Sequence, residues 1–332
     1  MSFLPVLLAA CLLDLLLGDP RWFPHPVRLI GWFAARMEHV TRRLPISERS
    51  SGSLTVLLVL LATGGISATL LALLAQGPKL LLLAGTAFML YTTIAARDLL
   101  RHALHVHAAL DESLEKARQQ VGLLVGRDTA QLDAPAVIRA CVESVAENMS
   151  DGITAPLFWA ATGAVLALPA GADWPAACAA LAAMLYKAVS TMDSMFGYKN
   201  EQYLHFGFCP ARLDDLANFL PARISGFALV LAAPFSGGSL RAAWRILRRD
   251  CRNHASPNSG WPEAAAAGAL GLQLGGAASY FGTIVSKPLI GDPLVPPERR
   301  HILRVCRLAL TAALFCLLLF AGIFLLAGMF CG

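Results

Sequence analysis

KAVSTMDSMFGYKNEQYLHFGFCPARLDDLANFLPAR (187–223) lies between long apolar runs, yet it carries Lys187, Asp193, Lys199, Asn200, Glu201, His205, Arg212, Asp214, Asp215, Asn218 and Arg223. Ionisable and amide groups are costly to bury in lipid, so a chain keeps this many together only at a membrane–water face or in a protected polar pocket. Two further islands share its character, ESVAENMSDG (143–152) and NHASPNSGWPE (253–263). We expect the three islands to form one site, held at the membrane surface by the apolar runs.

The composition agrees. Of 332 residues, 56% are hydrophobic and only 15% are charged, outside the usual range of soluble domains on both counts. The net charge of +5 is explained by membrane-side arginines, and no aromatic–basic interleaving points to nucleic acid. Eight cysteines show no paired spacing and several lie in apolar runs, where cysteine acts as a small hydrophobe; neither a disulfide framework nor a zinc site is indicated. The first residues lack the basic start and small-residue cleavage pattern of a signal peptide and read as a first membrane segment.

Outward from the central stretch, the expected fold is all-α, a polytopic integral membrane helical protein of one domain over 1–332, with cytoplasm-facing polar loops and amphipathic helices. Spans are expected at about 2–17, 54–75, 79–96, 153–168, 176–189 and 308–330, and an Ala/Gly-rich helix at 263–281. Residues 2–17 are apolar except for Asp14 and short for a crossing of about 20 residues. Apart from Lys79, every Lys and Arg falls in 18–53, 97–150, 187–223 or 241–307. The positive-inside rule makes these segments cytoplasmic. The short run 224–235 must then dip in and return.

Each island has an ordinary structural reading beside the functional one. If 137–150 is helical, Glu143 and Glu147 share a face, with Asp151 about a turn beyond. Such carboxylates repel unless a cation or basic side chain sits among them; a solvated helix face with Ser150 or Asp151 capping the next span is the alternative. A helix through Arg212, Asp214, Asp215 and Asn218 would bring Asp214 to Asn218 and Asp215 to Arg212, either as satisfied interfacial pairs or as part of the site. Lys199, Asn200 and Glu201 suit a phosphorylated ligand, and equally a surface turn. In HASPNSGWPE, helix-start chemistry accounts for Ser259, Pro262 and Glu263 but not for His254 or Asn258. Free N–H groups at that helix start also suit a phosphate. Asp19, His25 and Arg28, at the first membrane exit, stand in the turn-forming sequences GDP and PHP or serve the site.

LLDLLLGDPRWFPHPVRLIG (12–31), SVAENMSDGITAPLFW (144–159), YKAVSTMDSMFGYKNEQYLHFG (186–207), ARLDDLANFLPARI (211–224), HASPNSGWPEAAAAGALGLQLGG (254–276) and YFGTIVSKPLIGDP (280–293) together resemble the adenosylcobinamide-phosphate synthase family of cobalamin biosynthesis, the CobD/CbiB group. The resemblance runs in order through the whole chain. It implies a membrane ligase that uses ATP and Mg²⁺ to join a carboxylate of adenosylcobyric acid to an aminopropanol phosphate. On that reading Glu147, Asp151 and Asp214 or Asp215 are Mg²⁺ candidates. Lys187, Lys199, Arg212 and Arg223 clamp phosphate, with Asn200, Asn258, Ser259, His25 and Arg28 as further binding candidates; Lys199 also stands among the catalytic candidates. His254 or Glu263 takes the amine proton. The expected partners are the corrinoid and amino-alcohol phosphate substrates, membrane lipid, and a second copy or other cobalamin-assembly enzymes, at the inner membrane. The competing readings are a non-enzymatic membrane sensor or regulator and a corrinoid transporter. A transporter would place its polar groups mid-span and often show inverted halves, whereas here they cluster at span ends.

Overall fold

In hydrocarbon a backbone must satisfy its own hydrogen bonds, so long apolar runs become helices. The computed structural model describes residues 2–20, 22, 24–170, 174–198, 200–280 and 282–331. Among them five helices are long and apolar enough to cross a membrane: Glu48–Ala75, Lys79–Glu112, Trp174–Phe196, Phe219–Ser236 and Arg300–Cys331. Phe3–Leu17 is a shorter apolar helix. The protein is a polytopic helical membrane protein. In Arg300–Cys331 only 17% of the apolar window is buried, and Leu314, Leu318, Leu325 and Met329 are exposed. Such a face belongs against lipid.

Contacts divide the chain into two compact units interleaved along the sequence. The first comprises Met1–Ala95, Ala155–Asn218 and Leu319–Gly332. It holds α1 (Phe3–Leu17), α2 (Pro26–Thr41), α3 (Glu48–Leu74) and α4 (Lys79–Tyr91). Ser47 starts α3 by accepting the Ser50 N–H on its hydroxyl, which satisfies one orphan donor of the first turn. The second comprises Ala96–Thr154 and Phe219–Leu318. It opens with α5 (Ala96–Glu112), α6 (Leu114–Gly122) and α7 (Ala134–Met149).

After α7 the chain enters a π-helical turn, Ser150–Thr154, and runs without a break into α8 (Ala155–Leu166), which returns it to the first unit. No helix break falls at Ser150 or Asp151, the positions of the alternative cap: the chain bulges by one turn there instead of stopping, a device frequent at functional sites. α9 (Trp174–Phe196) packs along α8. Their approach is fixed by Gly163, where a Cβ would stand 2.4 Å from the Cys178 carbonyl oxygen. Small residues at such contacts let helix backbones close up. α10 (Phe208–Ala217) completes the unit. The turns before it are held by Arg42, whose guanidinium lies 4.2 Å from the Phe206 ring centre, donates to the Gln202 carbonyl at 2.9 Å and pairs with Glu38 at 2.9 Å.

In the second unit α11 (Phe219–Ala232) starts five residues before the apolar run at 224 and continues as a 3₁₀ turn to Ser236. α12 (Leu240–Asp250) follows, buries Ala243, Ile246 and Leu247 and turns its arginines outward. α13 (Gly260–Leu270) is buried along its length and packs on α7, α11 and α12. The helix expected over 263–281 ends at Leu270. Gly271 adopts a left-handed φ of 70° and stops it, as a C-terminal glycine does. The chain then forms an antiparallel hairpin, β1 (Leu274–Tyr280) with β2 (Thr283–Ile290), interrupted by a register shift between Gly275 and Gly276. Asp250 anchors its open end: the carboxylate accepts the Gly291 N–H at 2.7 Å and pairs with Arg249, which also bonds Asp292. α14 (Arg300–Cys331) begins in this unit and ends in the first.

Gly163→Val should lower the midpoint of thermal unfolding in detergent, at a cost of about 1–3 kcal/mol for overpacking a closed helix contact. Gly65→Ala, where a Cβ meets nothing within 4 Å, should be neutral. Equal midpoints for the two variants would contradict the α8–α9 packing.

Candidate functional site

The helical spacing of α7 puts Glu143 and Glu147 one turn apart, and both reach into the second unit's polar region. Glu143, 6% exposed, pairs with Arg127 and accepts the Gly275 N–H of the hairpin at 2.8 Å. Glu147 accepts the Ser259 hydroxyl at 2.7 Å. Ser259 occupies the N-cap position of α13, yet its side chain makes no capping bond. The helix-start role read from the sequence is thus given up, and the hydroxyl is turned to a carboxylate. A hydrogen bond to a charged acceptor is worth more than an ordinary cap.

Glu263, in the first turn of α13, is 4% exposed. Burial, reinforced by the nearby Glu147 and Glu143 carboxylates, raises its pKa well above the ordinary carboxylate range. The shift favours the protonated acid, which can donate a hydrogen bond. Its Oε1 lies 3.6 Å from His254 Nε2. Burial lowers the His254 pKa, and its Nδ1 accepts the Ser256 N–H at 3.0 Å. The neutral ring then carries its hydrogen on Nε2, on the side of Glu263. The Ser256 N–H thus occupies His254 Nδ1, and Nε2 faces the Glu263 carboxyl. The Ser256 hydroxyl accepts the N–H groups of Asn258 and Ser259 and fixes the loop. Arg223 reaches it from α11, with 3.4 Å to Asn258 Oδ1 and its guanidinium 4.9 Å from the Trp261 ring centre. Asp151, in the π-helical turn, is half-buried. Ser150 and Ser225 are buried hydroxyls with no hydrogen-bond partner among the described residues.

The first and third islands thus meet within one unit, joined by Arg223 from the end of the second. Residues 187–218 belong to the first unit. There Tyr186 donates to Asn218 at 3.0 Å and Asn218 to Asp214 at 3.0 Å, while Asp215 stands 3.6 Å from Arg212. The Asn200 side chain accepts the Tyr203 N–H at 3.0 Å and holds a turn. Lys187 is half-buried on α9. His25 pairs with Asp19 at 3.1 Å, and Arg28 donates to the Pro20 carbonyl at 3.2 Å. Lys199 lies outside the described residues. Among those residues no three His, Cys, Asp or Glu side chains group as a metal-holding set.

The family model described as CobD/Cbib protein matches residues 7–309. The chain belongs to the CobD/CbiB family. It is similar to the Cobalamin biosynthesis protein CobD of Geobacter metallireducens, 49% identical over 88% of this chain and 87% of that protein. Those of Desulfotalea psychrophila (44% identical, 97% and 98% covered) and Listeria monocytogenes serotype 4b (41%, 95% and 96%) match at nearly full length. No solved structure matches. Membership in the CobD/CbiB family supports a biosynthetic role in the cobalamin pathway.

In this CobD/CbiB chain two cations stand at the cluster that the islands did not reveal. Arg127 pairs with Glu143, and Lys287, on β2, is close enough to lower the Glu263 pKa. Neither carries a local signal, since Arg127 lies in a loop and Lys287 in the segment read as following a helix; only the hairpin brings Lys287 in. Because the folded-state pKa of Glu263 is raised, stability should fall as pH rises above the ordinary glutamate range. His254 acts oppositely: folded neutral and unfolded charged, it makes stability fall as pH drops below the ordinary histidine range. Glu263→Gln should abolish the first slope and leave the second, read from unfolding midpoints between about pH 5 and 8. A wild-type slope persisting in Glu263→Gln would show that the carboxyl is ionised. Ser259→Ala should cost about 1–3 kcal/mol by leaving Glu147 short of a donor.

Proposed function

We propose that this chain is an ATP- and Mg²⁺-dependent amide ligase of cobalamin biosynthesis. It joins adenosylcobyric acid to (R)-1-amino-2-propanol phosphate to give adenosylcobinamide phosphate, at the cytoplasmic face of the inner membrane. The observation that carries the reading is the gathering of Glu147 and His254 around the buried Glu263, with Arg127 and Lys287 acting on that carboxyl and Arg223 bonded to the neighbouring Asn258, in a chain of this family. Family membership supports the pathway, and the cluster supports charge-handling chemistry between anionic substrates. The gathering of Lys and Arg outside the apolar helices supports the cytoplasmic side.

In the proposed reaction the corrinoid carboxylate takes the γ-phosphoryl group of ATP, ADP leaves, and the amine displaces phosphate from the acyl phosphate. Positioning and charge stabilisation do most of the work. Arg223, beside Asn258, is placed to receive phosphate oxygens bidentately. Lys287 and Arg127 offset charge that gathers at the carboxylates. Glu263, whose protonated form burial favours, and the Nε2–H of His254 would donate to developing negative charge, and Glu147, held by Ser259, would accept the amine proton. Mg²⁺ takes one or two carboxylates and fills its remaining positions with water and phosphate oxygens. That modest need would suit Asp151, which is partly exposed in the π-helical turn. Mg²⁺ held there would supply neutralising charge to the phosphates.

The test is ligation by the purified chain in detergent, with adenosylcobyric acid, aminopropanol phosphate, ATP and Mg²⁺ supplied and ADP and corrinoid mass followed together. A corrinoid heavier by the condensed amine, dependent on all four components, is expected. Glu147→Gln and Lys287→Ala should each lower turnover by about 100-fold or more. Corrinoid binding without nucleotide turnover, for any amine supplied, would sink the ligase reading. Full turnover by both variants would remove the cluster from the reaction.

A further inference from the structure

An open cleft of about 460 Å³ lies in the second unit between α11, α12 and the start of α13. Its walls carry three aromatic rings. Phe227 is 5.7 Å from Trp244 and 6.1 Å from Trp261, centre to centre. Its rim carries Arg248, Arg249 and Arg252. The three arginines differ in what already holds them. Arg249 is bound to Asp250 and to Asp292, so its charge is satisfied within the protein. Arg248 stands 5.9 Å over the Trp244 ring. Among the described residues no carboxylate pairs with it or with Arg252, and both are exposed.

Three rings at an angle to one another, with two unmatched guanidiniums beside them, ask for a ligand that is flat at one end and anionic at the other. The volume falls within the range of small-molecule and cofactor sites. A planar base stacks on tryptophan whatever its hydrogen-bonding edge, and guanidinium receives phosphate oxygens in a matching fork. Inorganic phosphate would use the arginines and leave the rings idle. A lipid headgroup would need no flat concave wall.

The cleft also adjoins the carboxylate cluster through one short segment. Trp261 lines the cleft, while Ser259 and Glu263, two residues to either side, contact Glu147 and His254. Arg223 touches both neighbourhoods, stacking on Trp261 and reaching Asn258. We propose that this cleft binds a nucleoside polyphosphate, with the base stacked against the aromatic wall of Trp244, Phe227 and Trp261 and the phosphates on Arg248, Arg252 and Arg223. A nucleotide seated so has its phosphate end on the segment that carries Ser259. The proposal names the nucleotide site of the ligase proposed above and rests on that reading.

The test is equilibrium binding of a fluorescent ATP analogue to the full-length protein in detergent, alongside the ligation assay. Arg252→Ala and Trp244→Ala should each weaken nucleotide binding tenfold or more and raise KM for ATP in proportion. KM for the corrinoid should stay unchanged, and Arg252→Lys and Trp244→Phe should recover most of the affinity. Glu263→Gln should bind nucleotide as the wild type does. Wild-type nucleotide affinity in both alanine variants, with ligation intact, would overturn the site while leaving the ligase standing. Absence of nucleotide binding by the wild type would overturn both. Unchanged nucleotide affinity, with loss of retention on vesicles of phosphatidylglycerol, would overturn the nucleotide site in favour of a lipid headgroup.

Discussion

Three carboxyl groups, those of Glu143, Glu147 and Glu263, share one polar region of a chain that is 56% hydrophobic. Like charges so close repel, and each is relieved differently. Glu143 has Arg127 and a backbone N–H, Glu147 has the Ser259 hydroxyl, and Glu263 is pushed toward its protonated form. Desolvation and like charge both favour the neutral acid at Glu263, and His254 is pushed by burial to its own neutral form. Burial thus favours neutral Glu263 and neutral His254 beside the other carboxylates, with cations at the edge.

The surrounding elements meet the demands of that arrangement. α13 is nearly all alanine and glycine after its first turn, so α7, α11 and α12 pack closely around it. A Cβ at Gly268 would stand 2.7 Å from the Ala242 carbonyl oxygen, which shows how near α12 comes. The hairpin is short and would be marginal alone. Its open end is held by Glu143 on β1 and by Asp250 just after β2, and in exchange it delivers the Gly275 N–H and Lys287. Asp128 bonds the Ser279 hydroxyl and the Gly282 N–H and ties down the tip.

The first unit treats its polar residues differently. Arg42 is enclosed by Phe206, Glu38 and a carbonyl; Asp214 is bonded by Asn218, and Asn218 by Tyr186; Asn200 holds a turn. These bonds give each group an internal structural task. In the second unit Arg252, Arg248 and the Ser150 and Ser225 hydroxyls lack such matches among the described residues. Polar groups left over after folding are the ones available to a ligand.

The sequence by itself determined the membrane class, because lipid permits only self-satisfied backbones and long apolar runs announce it. It also determined the helical face of Glu143 and Glu147 and the pairings of Asp214 with Asn218 and Asp215 with Arg212, since these follow from helical spacing alone. The prominence of HASPNSGWPE was legible too, because His254 and Asn258 have no place in ordinary helix-start chemistry. Tertiary structure decided the rest. Ser259 reads as a cap, and only the approach of α7 turns its hydroxyl to Glu147. GALGLQLGG reads as helix packing, but left-handed glycines end the helix and start a hairpin, which no apolar periodicity records. Arg127 and Lys287 enter the cluster from distant segments with no motif around them. Whether a carboxyl such as Glu263 is charged depends on what else is buried beside it, and that is a property of the packed chain.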